Sequence, residues 1–172
     1  SLIQPTFDIV FGRSADFAVF FFVIGLFCAT SSMVNAAFVL RYGMRAISTL
    51  ALVITMILTI AMLALTLAGI DGPLYFWLFV GWQTAIFYQM GFTIGNLNAL
   101  AMEPLGHIAG LAASVMGAIA TVSGGIIATL IALLFDGTTL AQIGGSLVLL
   151  LLSFPVLLWM RGLDRPAATR KE

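Results

Sequence analysis

Charge is what this sequence has least of: Asp, Glu, Lys and Arg make up 8% of its 172 residues, against about 25% in a soluble globular domain. A chain so poor in charge and 62% hydrophobic has too little polar surface to face water, so it reads as an integral membrane protein. Seven basic residues cancel seven acidic ones, which leaves no basic patch for nucleic acid and no acidic tail. A single cysteine, Cys28, excludes an internal disulfide, and with the single histidine, His107, it falls short of the usual zinc or iron ligand count. Neither a metal nor a cofactor is expected. An enzyme is not expected either, because His107 sits in a connection and Ser114 lies among small residues with no acid nearby in sequence. The chain opens at Ser1 without a Met, a basic leader or a cleavage site, which reads as the start of a fragment.

What is present is long apolar runs. A spanning helix needs about 20 apolar residues, since ~1.5 Å of rise per residue must cross ~30 Å of hydrocarbon. Five uncharged runs qualify: Phe17 to Leu40, Ala46 to Ile70, Gly72 to Met102, Ile108 to Phe135 and Gly137 to Met160. Between them stand short connections rich in turn residues, Arg41–Arg45, Ile70–Pro73, Glu103–His107 and Asp136–Thr139. Connections this tight make consecutive helices antiparallel neighbours, so the expected fold is an all-α membrane bundle of five transmembrane helices. Residues 1–16 are too short and polar to span and are expected outside. Residues 17–160 form the bundle, and residues 161–172 a basic cytoplasmic tail. No run alternates with the period of a barrel strand. Arg41, Arg45, Arg161, Arg165, Arg170 and Lys171 fall on one side and only Arg13 on the other, which predicts a cytoplasmic C-terminus.

Small residues let helices approach closely in lipid. The first span carries Ala18, Gly25, Ala29, Ser32 and Ala36 on one face, and the fourth carries Gly110, Ser114, Gly117, Thr121, Gly124 and Ala128. Two readings of the fourth span stand: packing within this chain, or a sliding interface with a second bundle. The third span places Tyr75, Trp82, Gln89, Asn96 and Glu103 at seven-residue spacing, with Thr93 close by and Gly91 and Gly95 opposite. Amides are costly in hydrocarbon, so Gln89 and Asn96 are expected in the bundle interior or at a water-filled cavity. They would either hydrogen-bond a neighbouring helix or, with Trp82 and Thr93, line a substrate cavity. Tyr75 and Trp82 also suit an interfacial aromatic belt. The second and fifth spans, almost entirely aliphatic, are expected to face lipid. Thr55, Thr59 and Thr66 can bond their own preceding-turn carbonyls.

Three segments carry a family resemblance. They are Arg41-x-Gly43-x-Arg45 after Asn35; Asn96-x-Asn98-Ala99-Leu100-Ala101-Met102-Glu103-Pro104 followed by Gly106-His107-x-Ala109-Gly110-x-Ala112-Ala113-Ser114; and Gln4-Pro5-x-Phe7-Asp8 with Phe11-Gly12. The chain resembles the C-terminal half of a major facilitator superfamily transporter, of the bicyclomycin/chloramphenicol-resistance multidrug efflux type. The acidic residue of the fuller basic-loop motif is replaced by Leu40. The resemblance implies helices eight to twelve of a twelve-helix fold, with the third span lining a substrate cavity and the first and fourth meeting the other half. It also gives Arg41, Gly43 and Arg45 a role as a conformational-switch loop; as simple positive-inside anchors Arg41 and Arg45 would look the same.

The implied function is multidrug efflux by proton antiport, with alternating access around a midplane site in the inner (plasma) membrane. The implied partners are a small amphipathic or apolar substrate, protons, the lipid bilayer and a missing N-terminal half. No acid lies within a span, so a proton-carrying carboxylate is expected in that half. A sugar or metabolite carrier of the same superfamily, and a non-transporting membrane scaffold, are the alternatives.

Overall fold

The computed structural model describes residues 2–163, with side-chain surroundings to Leu157. These residues are helical throughout, joined by short turns, and contain no strand. After a short first turn α1 (Ile3–Pro5), wider turns over Thr6–Val10 and a tight turn at Ser14–Asp16, five long helices follow. They are α2 (Phe17–Tyr42), α3 (Met44–Leu67), α4 (Pro73–Met102), α5 (Ala109–Leu133) and α6 (Leu140–Leu163). Four helical stretches are long and apolar enough to cross a membrane, and the third, Pro73–Leu133, is 61 residues long. Such a length would measure roughly 90 Å if straight, three bilayer cores. It is instead α4 and α5, divided at Glu103–Ile108, where Leu105 leaves helical geometry at φ −108° and ψ 21°. The protein is a multi-pass, all-α membrane protein.

Local chemistry sets the boundaries. A single residue, Gly43, links α2 to α3 at φ 81° and ψ 153°, a conformation open essentially to glycine alone. Gly72 caps α4 at φ 85° and Pro73 follows at the first helical position, where its missing N–H costs nothing. Helix α6 starts at Leu140, three residues past the expected Gly137, because Asp136 and Thr138 hold the intervening turn. Thr138 donates from its backbone N–H (3.0 Å) and its hydroxyl (2.6 Å) to Asp136 Oδ1. Those bonds hold the exposed Asp136 carboxyl below its ordinary pKa. At its far end α6 continues to Leu163, so the first residues of the expected tail, 161–163, are helical. Arg165, Arg170 and Lys171 lie outside the described residues.

The most extensive contact is between α3 and α4, followed by α2 with α4 and α3 with α6. At the end of the bundle near the N-terminus the core is aromatic. Phe7, Phe76, Phe79, Tyr75 and Trp82 are buried together with Met62 and Ile143, and Phe7 meets Phe11, Phe17, Phe20 and Phe76 at ring-centroid distances of 5.7–6.3 Å. In a bilayer such packing works through van der Waals contact and shape rather than exclusion of water. A smaller cluster of Leu52, Leu150 and Leu157 joins α3 to α6 further along.

The expectation that the second span faces lipid is therefore wrong. Ile47, Ser48, Leu52, Thr55, Thr59 and Met62 of α3 are all buried, forming a stripe that recurs every three or four residues. Its aliphatic residues at other positions, such as Leu50, Ile54 and Ile57, remain exposed. The fifth span is likewise only partly peripheral, since Ile143, Leu150 and Leu157 of α6 are buried while Val148, Leu151 and Leu152 are not.

Candidate functional site

Helix α4 carries the sequence-predicted polar residues, and the structure shows what each one meets. Trp82 is buried, and its indole N–H donates to Thr59 Oγ1 of α3 at 3.0 Å. Thr59 in turn donates to the Thr55 carbonyl at 2.8 Å, so one hydroxyl serves its own helix and a neighbour. Two turns nearer the start of α4, the Tyr75 hydroxyl lies 2.7 Å from Thr66 Oγ1 and also bonds Thr139 at the start of α6. At the opposite end Ser48 donates to the Phe92 carbonyl at 3.0 Å. Ser48, Thr59 and Thr66 thus meet Phe92, Trp82 and Tyr75 in reverse order, which fixes α3 and α4 as antiparallel.

Asn96 faces α2. It is buried, donates to Asn35 Oδ1 at 2.9 Å, and accepts from Asn35 Nδ2 at 3.1 Å. Its amide nitrogen also lies 2.9 Å from the Phe92 carbonyl. This reciprocal pair satisfies each amide with the other, the arrangement an apolar medium demands. The neighbouring Thr93 is buried, with its hydroxyl 3.1 Å from the Gln89 carbonyl and 3.3 Å from Gln89 Oε1. Gln89, on the same face, lines a cavity. That cavity, of about 560 Å³, lies between α2, α3 and α4 with almost wholly apolar walls. The four residues share a face of α4, yet they meet two different helices and do not converge on one polar chamber.

The opposite face divides. A Cβ added to Gly91 would overlap the Ser31 hydroxyl and come within 3.2 Å of the Ser31 backbone carbon, so α2 and α4 cross there at close range. Open space lies over Gly95 and Gly81. A second buried amide pair, absent from the sequence reading, joins α4 to α6: Gln142 Nε2 donates to Gln83 Oε1. Gln142 Oε1 also lies 3.1 Å from Thr6 Oγ1. The same rule that singled out Gln89 and Asn96, that an amide in hydrocarbon needs a partner, pointed equally to Gln83 and Gln142.

The small-residue face of α5 has no counterpart within the described residues. Gly110, Ser114, Gly117 and Gly124 are exposed, and nothing lies within 4 Å of a Cβ built on any of the three glycines. Ser114 and Thr121 donate to Gly110 and Gly117 one turn back at 3.0 Å and 2.8 Å, closing their hydroxyls onto the helix. Among residues of α5 only Ala112 is buried. Of the switch-loop candidates, Arg41 is exposed with its guanidinium 5.3 Å from the Tyr42 ring, and Gly43 makes the turn. Arg45 lines an open depression of about 660 Å³ that also takes in Tyr42, Ala46, Leu100 and Glu103. Comparison with known protein families, curated proteins and solved structures finds no match to this chain.

Proposed function

We propose that this chain is the C-terminal part of a secondary active transporter that exports small amphipathic or apolar compounds by alternating access, in exchange for protons. The observation that carries the reading is the uncovered stripe of Gly110, Ser114, Gly117 and Gly124 on α5. A helix that meets only lipid has no use for small residues in register, whereas a helix sliding against a second bundle does. The packed unit of α3, α4 and α6 then acts as the rigid body, and α5 with the open face of α2 meets the N-terminal half. The coupling carboxylate belongs to that half, because none of the described spans contains an acid. The Arg41–Arg45 turn faces the cytoplasm of the inner membrane and, through the single-residue link at Gly43, holds α2 and α3 at a fixed angle as the halves rock.

Drug export is favoured over sugar or metabolite transport because Trp82 and Asn96 spend their donors inside the bundle. A sugar site needs those donors free for hydroxyls. The test is efflux of a lipophilic cationic dye from cells expressing the protein from its full coding sequence. Efflux that stops when a protonophore collapses the gradient is the expected result. Normal expression with no efflux of dyes, sugars or other solutes points to the scaffold reading and overturns this one.

A further inference from the structure

The cavity lined by Gln89 and the depression lined by Arg45 adjoin, since Tyr42 and Ala46 line both, and they differ in chemistry. The first part is apolar. Phe38, Ile47, Leu50, Ile54, Leu58 and Phe92 make most of its wall, and the polar groups on it are engaged. Thr55 donates to Ala51 O at 2.9 Å, Gln89 lies beside Thr93, and the Tyr88 hydroxyl is 3.5 Å from that of Thr30. It opens sideways to the bilayer, since Leu50, Ile54 and Leu58 are 60%, 49% and 40% exposed. From Ala46 to Leu58 along α3 it runs ~18 Å at ~1.5 Å per residue, close to the ~15 Å depth of one leaflet's hydrocarbon. Its volume of about 560 Å³ falls within the roughly 300–1,000 Å³ of small-molecule sites.

The second part is charged. It sits where the groove reaches the membrane surface, at the turn between α2 and α3, and is lined by the cationic Arg45 and the anionic Glu103. Exposed Arg41 stands on the same turn. A guanidinium binds phosphate through paired N–H donors, and a carboxylate beside it binds an ammonium and repels a purely anionic headgroup.

We propose that this composite groove holds one phospholipid with a zwitterionic, amine-bearing headgroup, phosphatidylethanolamine. One acyl chain lies along α3 between Phe38 and Phe92, the phosphate meets Arg45 and Arg41, and the ammonium meets Glu103. The proposal does not depend on the transporter reading. The bound chain fills the space left where α2, α3 and α4 diverge, and the headgroup ties the α2–α3 turn to the end of α4.

The test uses the full protein in vesicles of phosphatidylethanolamine and phosphatidylglycerol, with a trace of phosphatidylethanolamine carrying a photoactivatable diazirine in mid-chain. After irradiation, labelled peptides are mapped by mass spectrometry. Adducts on Leu50, Ile54, Leu58 and Phe92 are expected to exceed those on the exposed, apolar Leu151 and Leu152 of α6 by about five-fold. Ala51→Phe, which fills the groove, should remove that excess. Glu103→Gln, an exposed change at the membrane surface, should erase the preference for the ethanolamine probe over a glycerol-headgroup probe while leaving groove labelling in place. Uniform labelling of all apolar faces overturns the proposal. So does groove labelling by the glycerol probe that equals or exceeds the ethanolamine probe in the unaltered protein, a result that can be read even if Ala51→Phe fails to fold.

Discussion

Helices α4 and α5 leave the same turn at Glu103–Ile108, are both rich in glycine and are similarly apolar, yet they are packed in opposite ways. Seven residues of α4 are buried, among them Trp82, Gln83, Thr93 and Asn96, and its polar groups bond to α2, α3 and α6. Only Ala112 of α5 is buried, and its hydroxyls bond to their own backbone. The difference lies in polar side chains that reach beyond their own helix. Trp and amide side chains extend far enough to fix a neighbour, whereas Ser and Thr on α5 can satisfy themselves one turn back. Helix α4 therefore organises this bundle, and α5 leaves its small-residue face uncovered among the described residues.

The largest effect expected from breaking that contrast is at glycine. Gly91→Leu forces bulk into the Ser31 backbone and should abolish folded yield in detergent, well beyond the ~1–3 kcal/mol of ordinary overpacking. Gly91→Ala should be severe alone and largely rescued by Ser31→Gly, which removes the overlapping atoms. The matched change on α5, Gly124→Leu, should leave the packing among these five helices intact. Equal loss of folded protein from Gly91→Ala and Gly124→Ala would erase the distinction.

Next in size is the amide clasp. Asn96→Leu leaves the half-buried Asn35 without its partner and should cost about 1–3 kcal/mol. The double change Asn35→Leu with Asn96→Leu should cost less than the sum of the single ones in thermal or denaturant unfolding. Additive losses would mean that the two amides are not coupled. Trp82→Phe removes one donor and keeps most of the ring; a loss of roughly 0.6 kcal/mol is the average for a hydrogen bond between membrane helices. A loss near zero would show that Thr59 is content with its own helix.

The bounds of the helices were legible before the structure because bilayer thickness and turn chemistry act locally. The run Phe17 to Leu40 became Phe17–Tyr42, and Gly72 to Met102 became Pro73–Met102. Which face packs was less legible. Seven-residue spacing put Trp82, Gln89 and Asn96 on one face, but water and a neighbouring helix make the same demand on an amide. The threonines of α3 were legible only in part for a related reason. Thr55, Thr59 and Thr66 do bond their own preceding turns, yet a hydroxyl keeps lone pairs after donating. Thr59 uses one for Trp82, and Thr66 bonds Tyr75 as well. The stripe Ser48, Leu52, Thr55, Thr59, Met62 and Thr66 was the available signal, hidden by the aliphatic residues around it.

The smallest expected effect lies in the turn after α5. The Asp136 carboxyl is held below its ordinary value by the Thr138 hydroxyl and backbone N–H, so the ordering this contributes is present above the unfolded carboxylate pKa. It is lost as pH falls through the lower folded value. Amide-exchange protection at Thr138, taken relative to the intrinsic rate at each pH, should fall over that acidic window, and Thr138→Val should weaken this dependence. A protection factor that does not change with pH would contradict the assignment.

The most direct test of the account is the environment of the α5 stripe in the full-length protein. Gly117→Cys and Ile119→Cys, each in a Cys28→Ser background, are to be spin-labelled and their collisions with dissolved oxygen measured in lipid. The account predicts low oxygen accessibility and restricted motion at position 117, with high accessibility at position 119. High and equal accessibility at both positions would mean that the stripe faces lipid, and the proposed interface with a second bundle would fall.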